Sequence, residues 1–182
     1  MNRHLLLMSI AVVCAAATRA QVADVPRTAP ETRADNPLSG ELRQAYNSVK
    51  NNLLKSAEQM PEENYSFKPT LGIRSFGEVV AHVAESQMRT CSAILGTPKS
   101  LDAASKTSKA DLVPALQEAF AQCDKAYETA TDADAANIIK TPRGSRTKLG
   151  ALMANTIHDT EQYGILTVYL RLKGLTPPSS QR

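Results

Sequence analysis

The strongest constraint on the fold of this chain is a succession of four helix-length segments separated by turn and helix-stop signals. The segments cover about 39–60, 75–95, 108–131 and 147–173. In the first and third, apolar residues recur every three or four positions, the period of a helix with one buried face. The second opens with the capping-box letters SFGE and ends before Gly96, and the fourth ends before Gly174. No strand pattern and no internal repeat is found, so the sequence predicts an all-α fold, most simply a four-helix bundle.

The first twenty residues have the composition of a secretory signal peptide. An uncharged run from Leu5 to Ala17 is followed by small residues that suit cleavage before Gln21. The run is shorter than the roughly 20 residues that cross a membrane, although an anchor that is never cleaved remains the alternative. We expect an exported protein, periplasmic or secreted, with no stable membrane span after cleavage. The expected organisation is a signal peptide at 1–20, a flexible linker at 21–37 and the bundle at 38–179.

Charge and aromatic content argue against a nucleic-acid partner. The leader carries Arg3 and Arg19 and no acidic residue, so its removal lowers the formal net charge from +3 to +1. The remaining basic residues alternate with acidic ones, and an aromatic content of 4% without tryptophan gives no stacking surface. A small-molecule ligand and a homodimer are left open.

Two cysteines outside the leader predict how the second and third helices are arranged. Cys91 and Cys123 lie at nearly equal distances from the start of their helices, so they meet only if the two helices run parallel. An exported protein meets an oxidising compartment, which favours a disulfide between them. Parallel neighbours need the long connection that the sequence provides, so we expect an up, down, down, up order. Two reduced core cysteines that never meet are the alternative.

Two histidines outside the leader are the candidate functional residues. His82 lies on the polar side of the second helix, well away from its apolar face, and therefore faces water or a cleft. The fourth helix is apolar on nearly every side, with Met153 and Ile157 on one face and the pair His158 and Gln162 on another. A polar pair in a broadly buried helix requires partners.

These residues carry a resemblance to a known family. The stretch SFGEVVAHVAES and the later stretch HDTEQYGILTVYLRLKGLTPPSS resemble the DinB-like superfamily of four-helix bundles, over about residues 38–179. The family motif is one histidine in the second helix and an H-x-x-x-H pair in the fourth. His82 and His158 match its first two positions, and Gln162 stands at the third. The resemblance implies an up, down, down, up bundle with a divalent metal at this site, and some members are thiol-dependent transferases or isomerases.

The chemistry of the possible ligands indicates how well this chain could bind the metal that the resemblance implies. Three neutral imidazoles bind zinc or nickel and leave a position for water, whereas the amide oxygen of Gln162 is a weaker ligand that lowers the affinity. Glu85 and Glu161 follow the two histidines at i+3 and are possible additional ligands, which would suit manganese or iron. Their ordinary interpretation is as helix-surface charges.

Three functional hypotheses follow, and the sequence leaves enzymatic activity undecided. The first is an exported metal-dependent hydrolase or transferase with zinc, nickel or manganese on His82, His158 and Gln162. The second is a non-catalytic module that has lost the metal and holds a small ligand between the second and fourth helices. The third is a structural or interaction protein whose histidines are only packing and surface residues.

Overall fold

The computed structural model describes residues 36–141 and 144–181, and it is mostly helical. The four helices are α1 (Pro37–Gln59), α2 (Phe76–Ile94), α3 (Lys109–Glu128) and α4 (Lys148–Leu172). Short 3-10 turns cover Glu62–Asn64 and Pro178–Ser180. The helices begin and end close to where the sequence predicts. The predicted signal peptide and all but the end of the predicted linker lie outside the described residues, and no described helix is long and apolar enough to cross a membrane.

The ends of α2 and α4 follow the predicted capping chemistry. Ser75 and Glu78 form both hydrogen bonds of a capping box, so the first free amides of α2 are satisfied. Gly96 and Gly174 follow the two helices with φ angles of 72° and 74°, a conformation that favours glycine. Local sequence therefore fixes where the two helices that carry the histidines begin and end.

The start of α1 is capped by a residue that lies far away in the sequence. Asp132, between α3 and the hairpin described below, accepts hydrogen bonds from the backbone N–H groups of Leu38 and Ser39 and from the Ser39 hydroxyl. These bonds lower the pKa of Asp132, the Ser39 hydroxyl contributing most. The bonds attach the first turn of α1 to the segment after α3.

One buried apolar cluster joins the four helices. α2 packs against α3 and α4, and α1 packs against the same two helices. The Tyr46 and Tyr127 rings are stacked 3.8 Å apart between α1 and α3, and the Tyr46 hydroxyl donates to Asp124. The largest fully buried side chains are Tyr46, Tyr65, Tyr127, Phe76, Phe120, Leu53, Met60, Leu112, Leu116, Leu152, Leu166 and Leu170.

A disulfide joins Cys91 of α2 to Cys123 of α3, as the sequence predicts, with their Cα atoms 4.9 Å apart. Both cysteines are fully buried. The bond closes a loop of 32 residues that contains the whole connection between the two helices. Closing such a loop restricts the unfolded chain and therefore stabilises the fold.

A small β-hairpin, which the sequence analysis did not predict, precedes α4. Strands β1 (Ile138–Thr141) and β2 (Gly144–Thr147) pair antiparallel, and Gly144 has a φ of 107°. The expectation of no strands was therefore wrong. Four-residue strands with mostly exposed side chains show no clear alternation of apolar and polar residues, so the sequence carries no strand signal here. β1 packs against α2 and β2 contacts α4, so the hairpin lies beside the two histidine-bearing helices.

The expectation that α4 is buried on nearly every side is also wrong. Met153 and Ile157 are 51% and 61% exposed, and Val168 and Leu172 are exposed further along the same side. Helices α1 and α2 cover the other sides of α4. Apolar composition around a helix indicates that every face is suited to burial, but within the described residues this face has no neighbour.

We predict that Asp132→Ala lowers the melting temperature at pH 7 and that the effect disappears in acid. Because the folded-state pKa of Asp132 lies below its usual value, its stabilisation is fully present above about pH 4 and is lost as the pH falls through the folded pKa. Thermal unfolding of both proteins at pH 7, 5 and 3 tests this. Glu118→Ala, an exposed change on α3, is the control, and a deficit that is the same at all three pH values contradicts the prediction.

We predict that Cys91→Ala/Cys123→Ala lowers the free energy of unfolding by roughly 3–4 kcal/mol, as loop closure over this length implies. Urea unfolding with and without a reducing agent measures the effect. The reducing agent should destabilise the native protein and leave the double variant unchanged. Equal stability of the oxidised native protein and the variant would count against a stabilising disulfide.

Candidate functional site

The two predicted histidines meet between the second and fourth helices. The Nε2 atoms of His82 and His158 are 3.1 Å apart, and the rings are tilted by 66°. The His158 side chain is only 12% exposed, while His82 is half-buried at the edge of a cleft. The structure therefore brings together the pair that the sequence singles out.

The surroundings of His82 favour its neutral form. Burial lowers the pKa of His82, and the positive charges of Arg74, His158 and Arg89 lower it further, against an opposing effect of Glu85. A neutral imidazole has a free ring nitrogen that binds a metal or accepts a proton.

Gln162 lies one helical turn after His158 and is 5% exposed. Its carbonyl oxygen, Oε1, is buried without a hydrogen-bond partner among the described residues. The residue lines a groove of about 680 Å³ together with Val79, Ile165 and Tyr169. A buried acceptor without a partner is costly unless something binds it.

The structure places Glu85, but not Glu161, in the lining of the groove that contains His82. Glu85 accepts a hydrogen bond from the backbone N–H of Ala104, in the connection between α2 and α3, at 2.9 Å. Glu161 is exposed. Within 36–141 and 144–181, no group of three histidine, cysteine, aspartate or glutamate side chains is placed to hold a metal. Glu161 therefore has the position of an ordinary surface charge, whereas Glu85 is half-buried beside the groove.

Behind His158 lies a buried polar network that the sequence analysis missed. Gln87 of α2 donates from Nε2 to a carboxylate oxygen of Asp159, and its Oε1 accepts from Asn155 Nδ2 at 2.8 Å. Asn155 also donates to the Tyr127 hydroxyl at 3.2 Å. Gln87 and Asp159 are completely buried. The network connects α2, α3 and α4 directly beneath the histidine pair.

Asp159 is the carboxylate nearest to His158. Its Oδ1 lies 3.7 Å from His158 Nδ1, while its Oδ2 and that nitrogen have no hydrogen-bond partner in the described part of the chain. Burial raises the pKa of Asp159 to about 6, although His158 acts in the opposite direction. At 3.7 Å the two groups are not hydrogen-bonded, so the interaction between Asp159 and the His158 ring is electrostatic.

One sequence signal could have revealed the network. On a helical wheel Gln87 falls in the middle of the apolar face of α2, where a polar side chain needs a partner. Asp159 gives no comparable signal, because an acidic residue next to a histidine is ordinarily exposed. Its burial depends on the position of α2, which the spacing of residues in α4 does not specify.

Basic side chains surround the histidine pair. Arg89 and Arg146 line a small polar cavity of about 50 Å³ beside His158 and Asn155. On the other side, Arg74 lines a groove of about 590 Å³ with His82, and Lys68 and Lys106 also border it. Glu78 and Glu85 line the same groove, and Lys68 is paired with Glu78, so the excess of positive charge there is small.

The distance between the two imidazoles is compatible with two ligands of one metal ion. Two nitrogens bound to one ion at about 2.05 Å are about 3.3 Å apart at the tetrahedral angle and about 2.9 Å apart at a right angle. The observed 3.1 Å between the Nε2 atoms of His82 and His158 lies between these values. The Oε1 of Gln162, one turn after His158, is also buried without a partner among the described residues, and it is an oxygen.

A comparison with protein families agrees with the site and the fold. The model of the DinB superfamily matches residues 45–166, a segment that contains His82, His158 and Gln162. The chain belongs to the DinB superfamily. The match covers most of α1 and α4 and the whole of α2 and α3, so the resemblance noted in the sequence is confirmed.

A solved structure of a relative supports the same fold. The chain is similar to the crystal structure of a DinB-like protein from Bacillus cereus, with a TM-score of 0.64 and 18% sequence identity. The similarity covers 76% of this chain and 95% of that protein. No curated protein matches the chain. At this level of identity, the likeness shows the fold alone.

We predict that Gln87→Met lowers the free energy of unfolding by about 2–3 kcal/mol, because it removes the hydrogen bond to the buried Asp159 carboxylate and one of the two that the Asn155 amide donates. Urea denaturation measures the change. The control is Gln117→Met on α3, where the side chain is exposed and a change within about 0.5 kcal/mol is expected. Equal effects of the two substitutions would contradict a structural role for the network.

Proposed function

We propose that this DinB-superfamily protein binds a divalent metal ion between α2 and α4, with His82 and His158 as ligands. The observation that carries the proposal is the 3.1 Å separation of the two Nε2 atoms, which suits two neighbouring ligands of one ion. The lowered pKa of His82 supports it, because a metal competes with protons for the same nitrogen.

Gln162 is proposed as a third, weaker ligand. Its buried Oε1 has no hydrogen-bond partner in the described part of the chain, and its position one turn after His158 places it on the same side of α4. A set of two imidazoles and one amide oxygen binds zinc or nickel less tightly than three imidazoles would. Asp159, behind His158, positions that ring rather than binding the metal.

When bound, the metal would supply a Lewis acid that acidifies water or binds a substrate thiolate, as hydrolase or transferase chemistry requires. The residues of this chain would hold the ligand side chains in position and determine the charge around them. Asp159 and Gln87 hold the His158 side of the pair, and the arginines favour an anionic small molecule next to it. Arg74 and Arg89 act on this site, because their charges lower the pKa of His82.

A second candidate is a non-catalytic module that holds a small ligand without a metal. The replacement of the third motif histidine by Gln162 and the apolar lining of the groove beside it favour this alternative. It predicts ligand binding in the groove and no metal affinity above that of scattered surface histidines.

Export and helix order also belong to the proposal. The signal-peptide pattern of residues 1–20 supports export, and a buried disulfide is compatible with an oxidising compartment. Two contacts support the up, down, down, up order. Leu112, near the start of α3, lies within 3.3 Å of where a β-carbon on Gly77 would stand, near the start of α2. The disulfide joins the same two helices further along.

Metal affinity of the metal-free protein tests the function. Titration calorimetry with Zn²⁺, Ni²⁺ and Mn²⁺ should give one site per chain, and His158→Ala or His82→Ala should lower the affinity by about 100-fold or more. Gln162→His should raise affinity for zinc or nickel by at least about tenfold, because it replaces an amide oxygen with an imidazole.

Glu161→Gln is the matched control for Gln162→His, since it changes an exposed neighbour on α4 and should leave metal affinity unchanged. If the native protein binds no metal but Gln162→His binds tightly, the non-catalytic module is the better description. If neither protein binds metal, the histidine pair is not a metal site.

A further inference from the structure

The small polar cavity between the histidine pair and the β-hairpin has positive charge in its lining without a negative counterpart. Arg89 of α2 and Arg146 of β2 border it, and His158 forms part of its wall. Among the described residues, no acidic side chain belongs to this lining. The groove that contains His82 differs, because two glutamates there offset the basic residues.

Both arginines have their donors available for a ligand. Within the described part of the chain, neither the Arg89 nor the Arg146 guanidinium forms a hydrogen bond or an ion pair. A guanidinium presents paired N–H donors in one plane, and this arrangement matches two oxygens of a carboxylate or a phosphate. The two side chains are therefore suited to bind such a group together.

Ser86 supplies a buried donor to the same cavity. It lines the cavity and is only 5% exposed, and its hydroxyl has no hydrogen-bond partner among the residues that the structure describes. Ser86 lies three residues before Arg89, so the two side chains are on the same side of α2. A buried hydroxyl that makes no hydrogen bond costs free energy, so this lining favours a ligand that brings an acceptor atom.

The hairpin completes the wall of the cavity. β1 packs against α2 and β2 contacts α4, and Arg146 pairs with Ile139 in the register of the two strands. This position brings the Arg146 side chain to the cavity from outside the helices. A donor from the hairpin and donors from α2 thus surround one space.

The size of the cavity suits one functional group rather than a whole substrate. Its volume is about 50 Å³. Because one water needs roughly 10–15 Å³ of such a space, the cavity holds about three or four waters, which is enough for one carboxylate or phosphate group.

We propose that this cavity binds the carboxylate or phosphate group of an anionic small molecule, with Arg89, Arg146 and Ser86 as the donors. His158 belongs both to the cavity wall and to the histidine pair, so the rest of the molecule extends toward that pair. Asp159 is fully buried behind His158 and outside the lining, so its carboxylate does not fill the site. Binding of the oxyanion needs no metal; only its role in orienting a substrate rests on the proposed function.

NMR titration of the metal-free protein with inorganic phosphate, and separately with acetate, tests the site at constant ionic strength. The backbone amide signals of Ser86 and Arg146 should shift along one saturable curve with at least one of the anions. A fragment of this size is expected to bind with a dissociation constant in the millimolar range. Tighter binding of phosphate would indicate a phosphate ester as ligand, and tighter binding of acetate a carboxylate.

The outcome does not depend on the metal proposal, because no metal is present in the titration. The absence of a saturable shift with either anion below about 50 mM would overturn the oxyanion site, whether or not the histidine pair binds a metal.

Substitutions in the lining test which side chains hold the anion. Arg146→Gln should weaken binding by at least about tenfold and Ser86→Ala by at least about threefold, because each removes a donor. Arg146→Lys keeps the charge but loses the paired planar donors, so it should recover only part of the affinity.

The matched control is Lys140→Gln, which removes one positive charge from an exposed residue of the same hairpin that does not line the cavity. It should change the affinity by less than about twofold, because salt screens its charge. The NMR spectrum of each variant shows whether it is folded. Equal losses from Arg146→Gln and Lys140→Gln would assign the binding to the general charge of the surface and overturn the proposal.

Discussion

The side chain of Gln87 is the contact on which the candidate site depends most directly. It is completely buried, donates to Asp159 of α4, accepts from Asn155 of the same helix, and lies 2.8 Å from the sulfur of Cys123 in α3. Because a buried amide without partners is costly, the two hydrogen bonds hold α2 against α4, while the disulfide joins α2 to α3. That position places His82 against His158.

The site has a buried carboxylate behind His158 and open cavities lined by arginines beside the histidine pair. Asp159 is held behind His158, whereas the cavities on the opposite sides of the pair are lined by Arg74, Arg89 and Arg146. Membership of the DinB superfamily accounts for the fold. Under the proposed function, the unpartnered buried oxygen of Gln162 would be satisfied by a bound metal or ligand.

Much of the architecture could be predicted from local sequence. The capping box at Ser75 and the glycines after α2 and α4 act within a few residues, so the ends of these helices follow from the chain itself. The hairpin could not be predicted, because its four-residue strands form through pairing with each other and contacts with α2. Asp159 looked like an ordinary surface acid, since only the packing of α2 against α4 buries it.

The sequence by itself determined the four helices, the two histidines that share the site, and the cysteines that could pair. These are consequences of periodicity, capping chemistry and residue type. Only the tertiary structure decided that Glu85 borders the groove of His82, that Gln87 and Asp159 are buried behind His158, and that one apolar face of α4 is exposed. Such properties depend on which side chain of one helix lies against which side chain of another, and helical periodicity does not encode that relation.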